Sequence, residues 1–410
     1  MAFDFTSLVA AGSPAPAVKW QPPGKYNFTF GNNDPDGLAV KDLKEAVDAA
    51  LSREGRRLSD YRLHTGPQGY KPLREFLVKK LKRDAAIDCT EDDILLLSGS
   101  LQGLDLVNAA LLERGDTVIC ERDNYEGTIN RLARRGINVV PVPLDKDGMR
   151  MDALEKALAD LKKKGVRPKF IYTIATVQNP TATILSLDRR ETLLSLAGQY
   201  DVPVFEDDCY ADLTWDGKRP PSIYSMSTTG NVIHLGSFSK TIAPALRVGF
   251  IVAPWSLMSR LLPLKTDAGS GGLEQMMLAE YCEAHFADHV PQLRKRFRAK
   301  LDTLVAALNE QFGTAAEFDY PPGGIFLWVK LPDNVDAMKL RDAALKSGVV
   351  INPGPEWSID KAYSRSRVRL CFASPTHEEI REGIAALAEI CRKEFGVPAR
   401  SANVERRMGA

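Results

Sequence analysis

Between Ile94 and Pro254 the chain alternates short apolar runs with longer amphipathic stretches, the pattern that a mostly parallel sheet wrapped by helices demands. The apolar runs are Ile94–Leu97, Thr117–Cys120, Asn138–Pro143, Phe170–Ala175, Val202–Phe205, Val232–Leu235 and Val248–Val252, which predict seven strands. Between them Leu101–Arg114, Thr128–Arg135, Met151–Lys164 and Arg189–Tyr200 carry Leu or Ala at three- and four-residue spacing, so each predicts a crossover helix. The link from Lys240 to Arg247 is too short for such a helix, and the last two strands are therefore expected to run antiparallel.

After Pro254 the pattern turns strongly helical, with Leu273–Phe286 and Leu293–Gln311 the clearest segments. A second set of apolar runs follows at Gly323–Val329, Gly348–Ile351 and Val368–Phe372, with helical periodicity over Ala337–Ser347 and Glu378–Phe395. The fold class is α/β, a seven-stranded mostly parallel sheet followed by a smaller α+β domain. The polar tail Pro398–Ala410 is expected to be loose.

A chain of 410 residues with 44% hydrophobic content can bury a large core, and a formal net charge of +1 gives no reason to expect nucleic acid or an anionic membrane as partner. Six scattered cysteines without a Cys-x-x-Cys pair predict reduced thiols and a cytoplasmic setting. The segment Met1–Trp20 lacks the basic start of a secretory signal, and no apolar run approaches the roughly 20 residues that span a bilayer.

The run Gly236-Ser237-Phe238-Ser239-Lys240-Thr241-Ile242-Ala243-Pro244-Ala245-Leu246-Arg247 holds a lysine at a strand's carboxyl end, with small hydroxyl residues before it and a fixed cation seven positions on. That grouping suits an amine bonded to an aldehyde beside a phosphate, although a lone loop lysine merely meets water. Ligands of open parallel sheets bind beyond the strands' carboxyl ends, and the other candidates fall just there. They are Gly99-Ser100-Leu101 at a helix start, Tyr125, Gln178-Asn179-Pro180, and Asp207 with Tyr210. Singly, these read as an N-cap, a loop tyrosine, a turn and an acidic cluster able to hold magnesium.

Taken together the segment resembles the lysine segment of the class I/II aminotransferases, pyridoxal 5'-phosphate enzymes of fold type I, near the 2-aminoadipate aminotransferase-like branch. The resemblance runs from about Gly31 to the C-terminal helix. It implies a residue 1–50 arm joined to the small domain, a large cofactor-binding domain over 51–290 and a small domain over 291–410. It further implies a Schiff base between Lys240 and pyridoxal 5'-phosphate. Gly99, Ser100, the Leu101 amide, Ser237 and Arg247 would hold the phosphate, Tyr125 would stack on the ring, and Asn179 and Tyr210 would reach the phenolic oxygen. Asp207, rather than Asp208, matches the Asp-x-x-Tyr spacing and would keep the ring nitrogen protonated, leaving Lys240, Asp207 and Tyr210 as the catalytic set. Arg369 in Arg367-Val368-Arg369-Leu370-Cys371-Phe372 matches the strand that binds a substrate carboxylate, with Asn179 beside it.

The sequence departs from the family at Leu101, Ala182 and Cys371, and at Leu63–Gln68, where a tyrosine reaching the partner subunit's phosphate is usual; that contact stays unassigned. The resemblance implies a homodimer with active sites at the subunit interface, acting on an amino acid and a 2-oxo acid. A lyase or decarboxylase shares the same cage and is the nearest rival. A cofactor-binding regulator is a weaker one, because the region before Gly31 is short, proline-rich and not basic. Cys282, His285 and His289 have the spacing of zinc ligands but no evident fourth, so an ordinary helix surface and no metal is expected.

Overall fold

The computed structural model describes residues 3–10 and 13–398; of the tail expected to be loose, residues 399–410 lie outside the described residues. The chain opens with β1 (Tyr26–Asn27), α1 (Val40–Glu54) and α2 (Lys71–Ala85), then enters the large sheet with β2 (Ile94–Leu97). The strand and helix alternation continues through α3 (Ser100–Leu111), β3 (Thr117–Glu121), α4 (Glu126–Arg135), β4 (Asn138–Val142), a hairpin of β5 (Leu144–Asp145) and β6 (Gly148–Met149), and α5 (Met151–Lys163). It is completed by β7 (Ile171–Thr173), α6 (Leu187–Gln199), β8 (Val204–Asp207), α7 (Ile223–Met226), β9 (Val232–Ser237) and β10 (Gly249–Val252).

The seven-stranded sheet has the order β2-β10-β9-β8-β7-β3-β4, and β10 runs antiparallel to both of its neighbours. The remaining pairs, β8 with β9, β7 with β8, β3 with β7 and β3 with β4, are parallel. All four residues of β2, β8 and β10 are buried, because helices cover both faces of the sheet and leave no polar side to the inner strands.

After α8 (Trp255–Leu264) comes α9 (Gly272–Phe312), a single 41-residue helix that takes in both of the helical segments expected there. Pro291 lies inside it and removes one ladder hydrogen bond, yet Phe286, Val290, Leu293 and Phe297 on either side are buried. That burial outweighs the local cost of the proline, an instance of tertiary packing overriding propensity. The smaller sheet is built from β11 (Phe326–Lys330), β13 (Asn352–Pro353) and β14 (Arg367–Cys371), with α10 (Ala337–Lys346) and α11 (His377–Phe395) alongside. β13 was not legible as a strand, since Asn and Pro are poor strand formers and its pairing to β14 supplies what propensity does not. The expected run Gly348–Ile351 shrinks to β12 (Val349–Val350), which pairs in parallel with β1 and so ties the start of the chain to this layer. Phe28 is fully buried, and its carbonyl accepts from the Cys371 amide at 2.8 Å.

Candidate active site

The carboxyl ends of β2, β3, β7, β8 and β9 open on one cavity of about 360 Å³, within the range of small-molecule sites. Ser100, Leu101 and Tyr125 line it from the first two strand ends, Asn179 from the loop after β7, and Asp207 and Tyr210 from β8. Ser237, Lys240 and Arg247 complete the wall from the turn between β9 and β10. Gly99 lies against Arg247 and Arg369 against Asn179, so the cofactor and substrate candidates named from the sequence gather around this place.

Gly99 has φ of +81°, and a Cβ there would collide with the Arg247 guanidinium, so the glycine lets the arginine lie against the backbone. Arg247 adopts φ of +52°, and its Nη2 donates to the Ser98 carbonyl at 3.3 Å while its residue remains solvent-exposed. Gly99 caps α3 without a side-chain hydrogen bond, which leaves the first amides of that helix aimed at the cavity beside the guanidinium. This is the chemistry of a phosphate cradle.

Lys240 Nζ donates to the Gly31 carbonyl at 2.8 Å. Burial lowers its pKa below the ordinary lysine range; the neighbouring Cys371 and Cys209 thiols oppose this, and Arg369 and Arg247 reinforce it. An amine held this way is more readily free to bond a carbonyl carbon or take a proton.

Asp207 ends β8, where strand alternation turns its side chain opposite to those of Glu206 and Asp208. It accepts from the Tyr172 hydroxyl at 2.7 Å and from the Cys209 amide at 3.3 Å, and among the described residues no cation pairs with it. Burial pushes its pKa up, with the Tyr172 and Cys209 hydrogen bonds opposing. Glu206 instead accepts from the Ile223 and Tyr224 amides and pairs with His234 at 3.0 Å, while Asp208 pairs with Arg219 at 2.5 Å. The three acids therefore do not share a site, which removes the geometric basis of the magnesium reading.

A hydrogen-bonded chain runs across the cavity wall. Asn179 Nδ2 donates to the Tyr210 hydroxyl at 3.0 Å, and Arg369 Nη1 donates to Asn179 Oδ1 at 3.0 Å. Arg369 is buried, its guanidinium carbon 3.5 Å from the Trp357 ring centre, and Nη2 donates to the Thr29 carbonyl at 2.8 Å. Its Nε has no hydrogen-bond partner among the described residues, so a donor remains for an incoming anion. Tyr125 presents its ring 5.8 Å from that of Trp357.

Sequence reasoning missed Gly31, Thr29, Tyr172 and Trp357. A buried tyrosine needs a hydroxyl partner, so Tyr172 within a strand that ends at the site was the one available signal. The other three meet the site only through the path of the N-terminal arm and the loop before β14. Of the zinc-like triplet, Cys282 is buried in the core rather than on a surface, and His289 Nε2 lies 2.7 Å from the Thr241 carbonyl. At Leu63–Gln68 the structure leaves Tyr61 and His64 exposed, with Tyr61 87% accessible.

The donor set fits a phosphorylated pyridine aldehyde. Asp207 is a buried carboxylate wanting a cation, Gly99 and Arg247 form a cradle that a larger side chain would fill, and Lys240 offers an amine between them.

A family model for aminotransferase class I and II matches residues 26–387. The aromatic-amino-acid aminotransferase 1 of Thermococcus litoralis is 31% identical over 364 residues, covering 88% of this chain and 86% of that protein. Among solved structures, a multiple substrate aminotransferase from Thermococcus profundus superposes with a TM-score of 0.87 at 28% identity, covering 96% of this chain and all of that one. The α-aminoadipate aminotransferase of Thermus thermophilus, solved with N-(5'-phosphopyridoxyl)-L-leucine, gives 0.82 at 30% identity over 90% of this chain and 93% of that one.

Proposed function

The chain belongs to the class I and II aminotransferases, an enzyme of fold type I that moves an amino group from an amino acid to a 2-oxo acid, and on that premise we propose that it does so with pyridoxal 5'-phosphate held by the residues described above. When bound, that group supplies an aldehyde that condenses with amines and a ring that takes up the electron pair left by a departing α-proton.

The observation that carries the reading is the unpaired Asp207 carboxylate facing the same cavity as the Lys240 amine. Asp207 holds a proton at the ring nitrogen, and Tyr172 fixes the carboxylate's orientation. Lys240 anchors the aldehyde carbon at rest. Freed by the substrate amine, the Lys240 amine would take the proton from the substrate α-carbon and deliver it to the former aldehyde carbon, two bonds away across the nitrogen, a role its lowered pKa favours. Tyr210 and Asn179 donate to the phenolic oxygen. Ser100, the Leu101 amide, Ser237 and Arg247 bind the phosphate, with Gly99 making room for the arginine. Tyr125 stacks on the ring. Arg369 takes the substrate carboxylate through its unpartnered Nε, and the Trp357 ring behind it keeps the guanidinium plane fixed.

We further propose the division into an arm of residues 1–50, a large domain of 51–290 and a small domain of 291–410, and assembly as a homodimer. Support for the dimer comes from Arg247, a phosphate ligand that is exposed in the single chain and would be covered by a second copy. A cytoplasmic location is supported by six cysteines that are all free thiols. No described helix is long and apolar enough to cross a membrane.

The test is to purify the protein with added pyridoxal 5'-phosphate and incubate it with an amino acid and 2-oxoglutarate or pyruvate. A yellow chromophore and a newly formed amino acid are expected. Release of carbon dioxide or an eliminated side chain, with no new amino acid, favours the lyase or decarboxylase reading. A protein that stays colourless after soaking sinks both.

A further inference from the structure

We infer that the amino donor carries an uncharged, apolar or aromatic side chain, and that acidic side chains are disfavoured by the pocket's supply of charge; this rests on the aminotransferase reading above. Among the described residues, two cations line the cavity, Lys240 and Arg247, and Arg369 reaches it beside Asn179. All three are committed before a side chain arrives. Arg247 lies in the cradle beside Gly99 where the phosphate sits, Arg369 takes the α-carboxylate, and Lys240 handles the reacting carbon. Among the described residues the one carboxylate on the wall is Asp207, which is committed to the ring nitrogen, so no group on the wall is left to pair with a side-chain carboxylate.

What remains of the wall is uncharged: the apolar Phe30, Ile174, Pro244 and the Leu101 side chain, with Asn32, Cys209 and Ser239 beside them. Phe30 is 58% exposed, an apolar surface that an aromatic or aliphatic donor would cover. A side-chain carboxylate in the same place leaves water without gaining a cation, and an unpaired charge is what a pocket rejects most strongly. This assigns Phe30, Ile174, Pro244 and the Leu101 side chain as the specificity surface, the Leu101 backbone amide being the part that serves the phosphate.

The experiment uses the holoenzyme. Calorimetric titration with two inert carboxylates, 3-phenylpropanoate and glutarate, reads recognition without turnover, and 3-phenylpropanoate is expected to bind at least about tenfold more tightly. Single-turnover spectra with L-phenylalanine, L-leucine, L-alanine and L-glutamate should rank phenylalanine and leucine at least about tenfold above glutamate. Asn32→Arg, which adds a cation at the rim, should narrow that gap about tenfold when both rates are taken relative to alanine. Glutarate binding as tightly as 3-phenylpropanoate, or glutamate reacting as fast as phenylalanine, overturns the inference, including the case in which a second copy lends a cation. A spectrum that responds to none of the four amino acids overturns the aminotransferase reading instead, and this inference with it.

Discussion

Glu206, Asp207 and Asp208 are consecutive in the chain, yet the two sides of the β8 end treat their charges in opposite ways. Behind the sheet, Glu206 and Asp208 meet His234, Arg190 and Arg219, and every charge has a counter-charge. On the cavity side Asp207 receives a phenol and an amide and no cation. Burial alone would raise the pKa of Glu206, but the hydrogen bond and charge of His234 and the charge of Arg190 bring it down to about 2. Asp207 goes the other way, held up by burial. A region that only has to be stable neutralises itself, whereas a region that has to bind keeps an unmet demand that its ligand satisfies.

The sharpest way to break this contrast is at the cavity side. Lys240→Ala should lower transamination by at least about 10³-fold, since it removes both the anchor and the proton carrier, while phosphate-cage capture of pyridoxal 5'-phosphate persists in equilibrium dialysis. Full turnover by that variant would refute the assignment of the lysine.

Next, Asp207→Ala should cost about 10²–10³-fold in turnover and little in folding stability. Asp208→Ala should show the reverse, losing less than tenfold in turnover and about 3 kcal/mol of stability by denaturant titration, because it strands the buried Arg219. Equal losses of turnover in the two variants mean that the wrong aspartate faces the cofactor.

Glu206 tests the rear side through pH. Its folded pKa of about 2 lies below the ordinary 4.5, so its stabilisation is fully present above pH 4.5 and is lost as pH falls toward 2. Glu206→Gln should lower stability at pH 7 and flatten the stability profile between pH 4.5 and 2. A profile as steep as that of the parent protein removes Glu206 from the acid response.

The smallest effect is expected for Tyr172→Phe, which deletes the hydroxyl that donates to Asp207. Turnover should fall about tenfold, as for one hydrogen bond to a charged group. The pH dependence of the cofactor absorbance should shift as well, because the carboxylate facing the ring loses its hydroxyl donor. Unchanged absorbance would reduce Tyr172 to packing.

Much of the architecture was legible because it is written in period and length. Seven apolar runs became the seven strands, and the short link after Lys240 forced the one antiparallel turn. α9 follows the long helical stretch expected after Pro254, and its continuity through Pro291 rests on buried residues on either side that act from a distance. For the site, the cofactor candidates were residues at or just past strand ends of the large sheet, while Arg369, inside β14, was found through its strand motif. Thr29, Gly31 and Trp357 carried no such mark: a backbone carbonyl has no side chain to read, and an indole is usually core.

The order of residues by itself determined which strand ends hold a lysine, an aspartate and an arginine, because periodicity is a local property and strand ends in a parallel sheet share one edge. Only the tertiary structure decided that Asp207 faces the cavity while its neighbours face buried cations. It also decided that Arg369, 190 positions beyond Asn179, hydrogen-bonds to it. Those outcomes depend on contacts between segments far apart in the chain, where burial and charge compensation act and no local pattern reports them.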